Sequence, residues 1–131
     1  MGEKALVESQ ISDAVLLIQK LDAEGHSPSL AAWYFYDDID EWRLLIAGPT
    51  FDALLPKQEA VAYRTLVEAI ASLSLSSLSV SDLKLVRTTS PLPQVLRILI
   101  RTSSTGTCRA HFSNTTLNGI FMKEMIILRS V

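Results

Sequence analysis

Cysteine is nearly missing from this sequence: Cys108 stands alone in 131 residues. An intramolecular disulfide is therefore impossible, and a Cys-rich zinc site is excluded. Histidine is almost as scarce. His26 and His111 are the only two, with no His-x-x-x-His spacing, which argues against a transition-metal site and leaves no cofactor expected. Five widely spaced glycines supply no Gly-x-Gly-x-x-Gly, no Gly-Lys-Ser/Thr loop and no Gly-x-Ser-x-Gly elbow. Long apolar runs are also lacking. Stretches such as Ala14–Ile18 and Leu44–Ala47 fall far short of the roughly 20 residues that cross a bilayer, so no membrane partner is expected. The first residues, with Glu3 and Lys4, do not read as a secretion signal, and a lone thiol then suits a cytoplasmic protein.

What is present suits one globular domain over residues 1–131. Hydrophobic residues make up 48% and charged residues 20%, which excludes disorder and supports an ordinary core. The net charge of −2 conceals an uneven division. Residues 1–82 carry five Lys/Arg against thirteen Asp/Glu, a net −8, while residues 83–131 carry seven against one, a net +6. Such asymmetry either marks an anionic partner or is absorbed when the two halves pack together.

Periodicity sets the order of elements. Val7, Ile11, Ala14, Ile18 and Leu21 recur at helical spacing across residues 4–24, and Gly25 with Ser27-Pro28 ends that helix. Leu30–Tyr36 and Glu41–Ala47 flank a polar turn, Asp37–Asp40, and read as a hairpin. Pairing Tyr36 with Glu41 puts Trp33, Phe35, Trp42, Leu44 and Ile46 on a core face, and leaves Tyr34, Tyr36 and Arg43 on the other as exposed residues. Gly48-Pro49 reads as the stop after the hairpin. A second helix is expected at 57–73, with a stripe of Ala60, Tyr63, Val67 and Ile70. Ser72–Ser81 fits a frayed helix end, a loop or an edge strand.

A strand follows at 83–89. Ser90-Pro91 then signals a third, short helix through Leu92, Val95, Leu96 and Leu99 to about Thr102, with a strand over Val95–Ile100 as the competing reading. Asn118-Gly119 is the signature of a type I′ hairpin turn. Pairing Leu117 with Ile120 places Cys108, Ala110 and Phe112 beside Phe121, Met125 and Ile127 on a core face. Arg109, His111, Met122, Ile126 and Leu128 fall on the other. The last strand is apolar on both faces and belongs inside the sheet. The expected fold is α+β: two antiparallel hairpins in a sheet of about five strands, with about three helices. Its core is expected to hold Trp33, Phe35, Trp42, Leu44, Phe112, Phe121 and Ile127.

Candidate chemistry is sparse. Cys108 and His111 lie three apart in a strand, so they point to opposite faces and cannot exchange a proton; Cys108 reads as a buried, inert thiol. Asp37, Asp38, Asp40 and Glu41 form a solvated turn without the spacing of a calcium loop. Arg97 and Arg101 are four apart, on one helical face. With Arg109, and His111 nearby, they are the candidate anion-binding patch. No catalytic residue is assigned.

The segments Trp33-Tyr34-Phe35-Tyr36 with Glu41-Trp42-Arg43-Leu44, and Arg109–Asn114 with Asn118-Gly119 and Phe121, resemble small bacterial proteins of unknown function. That resemblance implies a bacterial cytoplasmic origin and an α+β fold, and brings no activity. The functional expectation is a non-enzymatic module that binds another macromolecule, a second copy of itself included. Two alternatives stand beside it: a nucleic-acid or anion-binding protein acting through the arginine patch, and an enzyme whose site is assembled from scattered residues. A pI of about 5.6 and the absence of a nucleic-acid motif weigh against nucleic acid.

Overall fold

A computed structural model describes residues 6, 8–75, 77–103 and 105–131. The first hairpin pairs β1 (Leu30–Tyr36) with β2 (Glu41–Ala47) in the expected register, Tyr36 opposite Glu41 and Trp33 opposite Leu44. Alternation carries Trp33, Phe35, Trp42, Leu44 and Ile46 to one face. There they bury against Ile11, Ala14, Leu17, Ile18 and Leu21 of helix α1 (Glu8–Ala23). The rings of Phe35 and Trp42 meet edge to face at 5.4 Å. The start of α1 expected at residue 4 lies outside the described residues.

The second face of the hairpin is covered as well, which corrects the expectation of two exposed tyrosines. Ala32, Tyr34, Leu45 and Ala47 pack with Val95 and Leu96 of a later helix, so Tyr34 is only 8% exposed and Tyr36 is half-buried. Burial pushes both phenols above their ordinary ionisation range.

Between the hairpins, three expectations change. Gly48-Pro49 does end β2, but Pro49 also opens helix α2 (Pro49–Leu54), since proline at the first helical position costs no hydrogen bond. Helix α3 (Glu59–Ala71) buries Ala62, Leu66 and Ala69. The expected stripe is shifted: Tyr63 and Ile70 flank the core, whereas Ala60 and Val67 face solvent. Of the Ser72–Ser81 segment, residue 76 lies outside the described residues. The rest is loop leading into a 3-10 turn, Val80–Asp82, where Ser79 and Asp82 cap one another. Strand β3 (Leu83–Leu85) is shorter than expected and runs parallel to β2.

Helix α4 (Pro91–Leu99) begins at Ser90-Pro91 as expected, which sets aside the strand reading of Val95–Ile100. It ends at Leu99, short of Thr102. Its apolar stripe, Leu92, Val95, Leu96 and Leu99, lies on the sheet face opposite α1. The final hairpin joins β4 (Ala110–Leu117) to β5 (Ile120–Ser130) through Asn118 and Gly119, at φ 51° and 79°. Both turn positions are left-handed, as a type I′ turn requires.

The sheet order is β3-β2-β1-β5-β4. Strand β5 is interior, as its two apolar faces require, and the fold is a single α+β domain with a mixed five-stranded sheet among the described residues. Phe121 departs from the expected core. Asn114 adopts φ 48°, and the alternation of β5 is interrupted opposite it. Met122 and Met125, three apart, therefore both join the α4 face, while Phe121 is left 55% exposed. Phe112 is half-buried beside them, and Ile127 is fully buried.

Candidate functional site

The four residues of the expected anion patch do not converge. Arg97 lies half-buried on α4 and Arg101 is exposed just beyond it. Arg109 and His111 alternate with Ala110 and Phe112, which pack toward α4, so their own side chains emerge on the α1 side of the sheet. There Arg109 holds both carboxylate oxygens of Glu8 at 2.5 Å. That fork keeps the Glu8 carboxyl below its usual range and raises the guanidinium further. His111 Nε2 lies 2.8 Å from Glu124 Oε2.

The uneven charge is taken up within the molecule. Glu8 with Arg109, Asp22 with Arg129 and Asp37 with Lys123 each join the acidic half to the basic half. Other acidic residues fasten loops. The buried Asp13 accepts from the amides of Ser77 and Leu78 at 2.6 and 3.0 Å, and Asp52 accepts from the amide and hydroxyl of Thr88. The Asp37–Asp40 turn is exposed, and among the described residues no group of three His, Cys, Asp or Glu is placed to hold a metal ion. Cys108 is half-buried, 3.4 Å from the Ile127 carbonyl, and burial pushes its thiol away from ionisation.

The two edges of the sheet are unlike one another. Strand β3 is three residues long, carries exposed Lys84 at its centre, and donates its Leu85 amide to the Tyr63 hydroxyl of α3 at 3.0 Å. It is short, charged and covered, the ordinary ways an edge avoids pairing with another chain. Strand β4 is eight residues long, and from Phe112 to Asn118 it has no charge and no proline. Its side chains alternate between half-buried and exposed along most of its length.

Two hollows lie toward opposite ends of the β4–β5 pair. One, of about 580 Å³, runs between α1 and Thr107–Arg109, floored by Leu128. The other, of about 350 Å³, lies between the hairpin tips among Tyr34, Tyr36, Asp37, Phe121 and Lys123. Neither was visible in the sequence, because each depends on which strand ends up beside which helix. The uncharged run in β4 could be seen there, but its meaning rested on β4 being an edge. No family model, curated protein or solved structure matches this chain. No helix among the described residues is long and apolar enough to cross a membrane.

Proposed function

We propose that this protein is a non-enzymatic interaction module that associates with a second copy of its own chain, β4 pairing antiparallel with β4. The observation that carries this reading is the contrast between the two sheet edges. One is blocked three ways, and the other offers a long strand whose run from Phe112 onward carries no charge and no proline. A two-fold arrangement sets Ser113, Asn114, Thr115 and Thr116 against the same uncharged residues of the partner, so no like charges oppose pairing. Electrostatic attraction between acidic and basic halves is not the driving term, because those charges already pair within one chain. The separation of Arg97 and Arg101 from Arg109 argues against a shared phosphate site. A cytoplasmic setting suits the lone thiol.

Sedimentation across a concentration range, at low and at high salt, tests the proposal. The expected result is a dimer whose affinity changes little with salt. The Ser113→Lys/Thr116→Lys variant, charged at two exposed edge positions, is expected to be monomeric with an unchanged circular dichroism spectrum. A parent that stays monomeric throughout, or a dimer indifferent to those lysines, overturns it.

A further inference from the structure

The groove between α1 and the Thr107–Arg109 stretch has the size and lining of a small-molecule site. Its volume of about 580 Å³ falls within the usual range of roughly 300–1,000 Å³ for such pockets. Ile11 and Leu128, both buried, make its floor, and Val15 and Leu16 form the wall along the helix. Leu16 is 43% exposed, so the helix wall offers apolar surface to a ligand. At one end of this apolar strip stands Arg109, the one cationic residue among the described residues of the lining.

Arg109 already shows what it binds. Its planar fork meets a carboxylate, that of Glu8, through two parallel hydrogen bonds. Both side chains of the pair are more than half exposed, at 54% and 67%. Because both partners remain open to water, a carboxylate arriving from solvent competes with Glu8 for the same fork. The planar fork of one guanidinium matches the two oxygens of a carboxylate, and with Glu8 still beside it a singly charged head is repelled less than a phosphate dianion. The apolar strip favours a ligand with a hydrocarbon body.

We infer that the groove binds an amphipathic monocarboxylate, its head replacing Glu8 on Arg109 and its apolar body lying along Ile11, Val15, Leu16 and Leu128. Binding is non-covalent and reversible. Cys108 lines the same groove. Nothing in this site depends on β4 pairing, so monomer and dimer both carry it.

Titration calorimetry with decanoate, and with 1-decanol as its uncharged counterpart, tests the inference below the micellar concentration of the acid. Decanoate is expected to bind saturably and to slow alkylation of Cys108 by a neutral maleimide. Arg109→Gln is expected to weaken decanoate by about tenfold or more, to the level of the alcohol, through loss of the charged fork. Glu8→Gln removes the internal competitor and is expected to tighten decanoate, an effect that a merely structural role for Glu8 does not produce. Both positions are exposed, and circular dichroism verifies that the variants fold. No saturable decanoate binding, equal binding of acid and alcohol, or unchanged or weaker decanoate binding by the Glu8→Gln protein overturns the inference.

Discussion

Arg129 meets Asp22 through two 2.8 Å hydrogen bonds while its own side chain is entirely removed from solvent. The same guanidinium donates twice to the Gly106 carbonyl and once to that of Pro28. Its five N–H groups thus make five hydrogen bonds, and no donor is wasted. A register shift between Ala31 and Ala32 makes this possible by inserting Leu128 as an extra residue in β5, which turns Arg129 toward α1.

Breaking this arrangement from the acidic side leaves a buried cation without its counter-charge. Asp22→Ala is therefore expected to cost about 3–5 kcal/mol, the usual penalty for orphaning one partner of a buried pair. Urea unfolding of the two proteins measures it. A difference below about 1 kcal/mol would place the pair among exposed ones that contribute little.

The same pair gives stability an acid limb. Hydrogen bonding by Arg129 holds the Asp22 carboxyl below its ordinary value of 3.8, so the unfolded chain binds the proton more readily than the folded one. The contribution is present in full at neutral pH and is lost as pH falls below 3.8 and through the lowered native value. Urea midpoints measured from neutral to acid pH should fall on that limb, and Asp22→Asn should flatten it.

Two phenylalanines of similar sequence context should respond in opposite ways. Phe35 is 1% exposed and sits against Trp42, so Phe35→Ala is expected to cost about 3–5 kcal/mol. Phe121 is 55% exposed, and Phe121→Ser is expected to change stability by no more than about 0.5 kcal/mol. Thermal melts of both variants decide the matter. A large loss from Phe121→Ser would return that ring to the core.

The first hairpin was readable down to its register because the four-residue polar turn Asp37–Asp40 sets Tyr36 opposite Glu41, and the pairing follows from there to Leu30 and Ala47. Helix α4 was readable from Ser90-Pro91 and its apolar spacing. Period arithmetic failed where the backbone breaks it: at Asn114, which detaches Phe121 from the face of Met125, and at Leu128, which redirects Arg129. The α3 stripe was misplaced because Ala62 and Ala69 are small, and only the close approach of neighbouring elements marks them as core. The arginine patch failed for a tertiary reason. Spacing put Arg97 and Arg109 near one another in the chain, but the sheet lies between their side chains.

The placement of β5 between β1 and β4 also orders events during synthesis. Trp33 lies opposite Ile126, so the strand that covers one side of β1 is made more than ninety residues after it. While the ribosome works through those residues, the first hairpin carries an unpaired edge and two apolar faces. Residues 8–99 hold all the helices described here, yet both layers of the core lack Met125–Leu128 until translation reaches them. Folding is therefore completed only once β5 has been made, and until then the β1 edge that β5 covers stands unpaired.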